Sequence, residues 1–388
     1  MSHKTWILTD VETGAYLEYL SLGPDQVGGS ARGYSVTKRT LRGGRSDGVD
    51  VVEVDNGRFR FAVVPTRGMG LWRGTCDGVQ LGWKSPTREP VHPAMVHLWE
   101  GTGLGWLEGF GEWLVRCGLE SNGAPEFFPN GALRYPLHGK IANIPAHRVE
   151  VTIDGATGEI AVTGVVDEAR LFGNKLRLTT TIRTQVDSPE ISITDEVVNL
   201  SAEVGELELL YHTNFGMPLA APGARLVLPI QKIAPRDAVA AADMSHWNVY
   251  DPETPDSPEA CFLFDLLADD AGQTRALLQS AAGDRGVSVK FNKQQLPCFT
   301  LWKNRQAAAD GYVTGLEPAT NYPNTKSFEK EHGRVVVLAP GEARRFDVAI
   351  EVHADAAAVT AAERAVASIQ GAIVPEVCPQ PDPNWASG

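Results

Sequence analysis

Three short segments of this chain carry side chains able to move protons. They are Leu137-His138-Gly139-Lys140, Tyr211-His212-Thr213-Asn214-Phe215 and Gly315-Leu316-Glu317-Pro318. Each stands at the end of a strand-like run and holds one titratable group among polar neighbours. A histidine and a carboxylate on either side of a small substrate can take a proton from one oxygen and deliver one to another. A second histidine can then bind a hydroxyl or steady developing charge. Taken singly, a histidine or glutamate at a strand end is more often a hydrogen-bonded structural residue. Spacing along the chain does not show that the three converge. No GxGxxG, GxxxxGK[ST], HExxH or GxSxG is present, so nucleotide, zinc-protease and α/β-hydrolase chemistries lack their usual apparatus. His92 and His97 lie in a Pro-rich stretch, and Arg236-Asp237 reads either as a hydroxyl-binding pair or as a surface ion pair.

Holding such groups in place falls to β-structure. Val51–Val54 and Phe59–Val64 flank Asn56-Gly57, and Gly70–Gly74 and Val79–Trp83 flank Asp77-Gly78, the signatures of two tight hairpins. Regular alternation follows in Arg148–Ile153, Glu159–Val166, Lys175–Ile182 and Glu190–Asn199, and resumes at Ala224–Leu228, Val287–Phe291, Cys298–Trp302, Arg334–Leu338 and Arg345–Val352. Strands this regular predict an all-β fold, a large antiparallel β-sandwich with few short helices. With no repeat and no linker, residues 1–388 are expected to form a single domain with its core at about 50–352. Residues 1–45 yield only a short strand near Trp6-Ile7-Leu8. Residues 355–369 predict a helix, and 375–388 a Pro-rich tail that is disordered or laid over the surface. Residues 84–130 form a loop-rich stretch holding Trp99, Trp106, Phe110, Trp113, Phe127 and Phe128, either a wall for a sugar ring or a plug of core aromatics.

The net charge of −13 over 388 residues argues against nucleic acid or an anionic membrane as partner. A hydrophobic share of 43% rules out global disorder. The 39 glycines and 25 prolines suit a chain of many turns. Five scattered cysteines without a CxxC pair indicate reduced thiols in a cytoplasmic protein. The N-terminal stretch from Met1 to Glu12 lacks the apolar run of a signal peptide, and no stretch is long enough to span a membrane.

Taken in order, several segments resemble the aldose 1-epimerase (galactose mutarotase) family, in its poorly characterised bacterial branch. They are Pro65-Thr66-Arg67-Gly68-Met69, Leu137-His138-Gly139, Ile193–Leu200, Tyr211–Phe215, Gly315–Pro318 and Leu338-Ala339-Pro340-Gly341-Glu342. The resemblance implies a mutarotase-like supersandwich and interconversion of the anomers of an aldose or modified aldose. It implies that Glu317 is the base, His212 the acid and His138 a substrate binder, with no cofactor and no metal. The family's sugar-gripping Asn-Arg segment is absent; Arg116–Asn122 stands there instead. Arg67, Asn122, Lys140 and Asn214 are therefore expected as further substrate contacts, and Asp237 as a counterpart of the family's aspartate. The expected partner is a small sugar, with the protein a monomer or homodimer. Two alternatives stand beside this reading. One is another sugar isomerase or lyase, with a metal held by His138, His212 and Glu317; the other is a non-catalytic carbohydrate-binding protein.

Overall fold

The computed structural model describes residues 3–88 and 90–386. Met1, Ser2 and the last two residues of the expected tail lie outside the described residues. Among those described, nearly all strands join two large sheets, one of ten strands and one of fourteen.

The ten-stranded sheet shows the simplest link from sequence to structure. In Lys175–Gln185 every second side chain is buried, Leu176, Leu178, Thr180 and Ile182 among them, and Glu190–Asn199 follows the same rule. Successive side chains of a strand point to opposite faces, so alternation in sequence becomes one dry face and one wet face. The dry face, with Val151, Ile160, Val162, Leu178 and Ile193, shares one core with Leu209, Tyr211, Phe215 and Leu316 of the larger sheet. A facing pair of sheets stacked in this way is a sandwich.

The larger sheet runs Ala260–Leu266, Cys298–Asn304, Val313–Ala319, Gly205–Phe215 and Leu114–Leu119 side by side at its centre. Here alternation fails. Nearly all of Gly205–Phe215 and all of Val313–Ala319 are buried, because the loops before residue 143 fold over the outer face. Trp106, Phe110, Val115, Cys117, Ala142, Leu210 and Ala319 make a second, smaller core there.

Most expected strands are present, many with extended ends, while Val79–Leu81, Arg225–Val227 and Val336–Leu338 are shorter than expected. The N-terminal region departs from expectation: His3–Asp10 and Ala15–Tyr16 belong to the ten-stranded sheet, and Tyr19–Leu22 and Ser35–Thr40 to the other. The sheets therefore begin well before residue 50; mixed composition concealed short edge strands. The expected helix is Ala356–Gln370, capped by Asp355, whose side chain accepts from the Ala358 N–H at 2.8 Å. It seats Ala362 and Val366 against Leu277. The tail is laid over the surface: Glu376–Val377 pairs in parallel with Ile230–Pro235, and the Trp385 ring packs 5.1 Å from that of Tyr322.

Candidate active site

The register that pairs Leu210 with Ala319 and Thr213 with Leu316 sets His212 directly across from Glu317. The sequence places both at strand ends, but the structure sets both inside their strands, on the outer face of the sheet. Their side chains meet over Gly315. A Cβ at that position would lie 2.3 Å from Glu317 Oε1 and 2.9 Å from His212 Cε1, so the glycine is the space the pair occupies. His138 arrives from a loop in the left-handed conformation, φ 57°, followed by Gly139 at φ 71°. Gly139 is packed so tightly on the Ser121 and Gly118 carbonyls that a Cβ would fall 2.0 and 2.4 Å from them. That turn brings the His138 ring to 5.4 Å from the His212 ring, centroid to centroid.

All three side chains line one cavity of about 600 Å³. Its walls are aromatic, with Trp106 at 4.7 Å from His138, Phe110 at 5.2 Å and Trp302 at 5.3 Å from His212, and Trp83 beside Phe110. Within the loop-rich stretch, Trp106 and Phe110 are buried core side chains that also face the cavity. Trp113 belongs to the main core, and Trp99, Phe127 and Phe128 are exposed.

Hydrogen bonds fix which nitrogen of each histidine is available. The Asn214 amide donates to the carbonyls of Glu112 and His212, both at 3.0 Å, which leaves its oxygen to accept from His212 Nδ1–H at 2.6 Å. His138 Nδ1–H donates to the Asn122 carbonyl at 2.9 Å. In both rings Nε2 is then the free lone pair when the ring is neutral. Burial holds both neutral: it pushes His138 down to about 4 and His212, with added repulsion from His138, down to about 3. Burial also holds the Glu317 carboxyl well above the usual carboxylate range, with Glu259 adding to the shift and Arg236 opposing it. His212 Nε2 lies 3.2 Å from Glu317 Oε1, yet off the line of a hydrogen bond, so that this buried oxygen has no hydrogen-bond partner.

The remaining expected contacts lie outside the cavity lining. Arg67 is buried and ion-paired with Glu112 at 2.7 Å; it braces the segment whose Glu112 carbonyl receives Trp83 and Asn214. Asn122 pairs its amide reciprocally with Asn321 and reaches the site only through the carbonyl that holds His138. Lys140 is ion-paired with Glu120 and 3.6 Å from Glu168. Asn214 orients His212. Asp237 caps the helix Ala238–Ala242, accepting from Ala240 N–H at 3.0 Å, and grips Arg236. It is Arg236, with Glu259 and Trp302, that faces the cavity: Glu259 accepts from Arg236 at 2.8 Å and from the Trp302 indole at 2.7 Å. Only the dipeptide Arg236-Asp237 hinted at this cluster in sequence. Among the described residues no three His, Cys, Asp or Glu side chains converge as metal ligands.

A supersandwich whose outer face carries a histidine–glutamate pair in an aromatic cavity defines the class: galactose mutarotase-like. The chain belongs to the family described as Domain of unknown function (DUF4432), whose model matches residues 46–352. A protein from Klebsiella pneumoniae solved as a "putative aldose 1-epimerase" is 36% identical, with a TM-score of 0.94 over 97% of this chain and 98% of that one. Galactose mutarotase-like proteins from Clostridium acetobutylicum and Lactobacillus casei share the fold at 16% and 14% identity, with TM-scores of 0.55 and 0.51. They are matched over 82% and 78% of this chain, and over 98% and 100% of their own. No curated protein matches the sequence.

Proposed function

We propose that the protein interconverts the anomers of an uncharged aldose. The observation that carries this reading is the His212–Glu317 pair, its Nε2 and Oε1 3.2 Å apart, lining one aromatic cavity together with His138. Titratable groups whose surroundings push them from their ordinary range, gathered in a cavity, mark candidate sites of proton transfer.

Ring opening of a cyclic aldose needs one base at the anomeric hydroxyl and one acid at the ring oxygen. The base takes the hydroxyl proton, the C1–O5 bond breaks, and the acid protonates O5, leaving an open-chain aldehyde. Rotation about C1–C2 presents the other face, and reclosure returns both protons. The family's assignment makes Glu317 the base and His212 the acid. For that, His212 Nε2 takes up a proton before turnover, and the Glu317 carboxyl 3.2 Å away is the neighbouring group that can supply it. His138 Nε2 faces the same cavity as an acceptor for a sugar hydroxyl, and Trp106, Phe110 and Trp302 offer flat surfaces for the apolar face of the ring.

Charge narrows the substrate. Among the described lining residues the fixed cation is Arg236, already paired with Asp237 and Glu259, while Glu259, Asp310 and Glu317 supply carboxyls. Phosphate, sulfonate or carboxylate groups would meet no free positive charge. Saturation-exchange NMR across a panel of aldoses tests the proposal. Faster anomer exchange is expected with one or more neutral sugars and none with their 6-phosphates. No acceleration with any sugar would overturn it.

A further inference from the structure

The strand that carries His212 also carries, four residues earlier, an acid the reaction does not use. Glu208 is fully buried. Its Oε2 accepts the backbone N–H of Asn122 at 3.0 Å, and its Oε1 has no hydrogen-bond partner. The carbonyl of that same Asn122 receives His138 Nδ1–H, and the next carbonyl, of Gly123, receives the His138 backbone N–H at 2.9 Å. One carboxyl therefore anchors the two-residue stretch from which His138 hangs, on both its ring and its backbone. We infer that Glu208 is a positioning residue for His138, acting through the backbone of Asn122. The inference rests on the proposed reaction only for its kinetic readout.

The surroundings agree. Burial raises the Glu208 carboxyl to about 8, and Glu329 and Glu126 add to the shift. The Asn122 N–H and Lys326, which approaches from the helix Lys326–Glu331, oppose it. The Lys326 ammonium donates to the Glu120 carbonyl at 2.6 Å and lies 3.2 Å from Glu206.

The test compares wild type, Glu208→Gln and Glu208→Ala. Glu208→Ala raises the KM for the sugar at pH 7 while kcat changes less; Glu208→Gln, whose amide oxygen can still accept from the Asn122 N–H, keeps KM near the wild-type value. The His138 imidazole resonance reads the coupling without any substrate: it is displaced in Glu208→Ala and stays near its wild-type position in Glu208→Gln. Stability gives the third arm. A folded carboxyl raised above its unfolded value loses its stabilising contribution as pH climbs from the ordinary carboxylate range through about 8. The melting temperature of Glu208→Gln relative to wild type therefore increases from pH 5 to pH 8. A His138 resonance unmoved in Glu208→Ala, or displaced equally in both variants, overturns the inference. Absence of turnover in wild type alongside the expected His138 shift would sink the anomerase reading and leave this one standing.

Discussion

Tyr211 and His212 are neighbours on one strand, and they face two different kinds of polar interior. Tyr211 points into the core between the sheets, where its hydroxyl donates to Asp195 at 2.8 Å. Asp195 is gripped by both arms of Arg116, whose third nitrogen donates to the Met69 carbonyl at 3.0 Å. That network lies fully inside the protein and its bonds are made. One residue on, His212 points the other way, at a glutamate whose near oxygen has no bond and at a cavity open to a ligand. A buried charge that is fully paired holds a structure together; a buried acid without such partners, lining a cavity, is a candidate for chemistry.

This contrast breaks most sharply on the core side. Asp195→Ala leaves the Arg116 guanidinium buried and unpaired, which is expected to cost about 3–5 kcal/mol of stability. Chemical denaturation would show it, and a loss below about 1 kcal/mol would mean the network is dispensable.

On the cavity side the effects shift from stability to turnover. Gly315→Ala places a methyl group 2.3 Å from Glu317 Oε1 and 2.9 Å from His212 Cε1. Overpacking of this kind costs about 1–3 kcal/mol, and both reacting groups must move, so kcat falls more than KM rises. Asn214→Ala removes the acceptor that fixes the His212 tautomer. It should cost about 1 kcal/mol of stability and lower kcat, with sugar affinity retained by titration.

The histidines supply an acid-side test. Burial holds their folded values near 4 and 3, below the ordinary histidine value. As pH falls from about 6.5 the unfolded chain takes up protons first, so stability present at neutral pH is lost on the acid side. His212→Asn should lose less stability than wild type between pH 6.5 and 5, by on the order of 1 kcal/mol. Equal losses would show that His212 titrates normally.

How much of this was legible in the sequence follows the same division. The ten-stranded sheet is readable because one face is wet, and Lys175–Gln185 writes that alternation directly. Gly205–Phe215 is buried on both faces, so periodicity does not reveal which side of it His212 takes. Arg67 has the residue type of a sugar-binding cation, but its partner Glu112 is remote in sequence and claims it for the interior. Asn122 matters through its carbonyl, and side-chain identity carries no signal for a backbone atom. Glu259 reaches the site only because the sheet sets Cys261 beside Trp302, a neighbour relation created by folding.

The central claim is that the cavity face of this strand is kept unsatisfied for chemistry, and Glu317→Gln tests it most directly. Anomer exchange of the best neutral aldose and denaturant stability at pH 7 would be measured on the same preparation. The account predicts a loss of turnover on the order of 10²–10⁴-fold, with sugar still bound and stability not reduced, since an unpartnered acid has been replaced by a neutral amide. Retained turnover, or a loss of stability like that of Asp195→Ala, would contradict it: Glu317 would then belong to the architecture and not to a reaction.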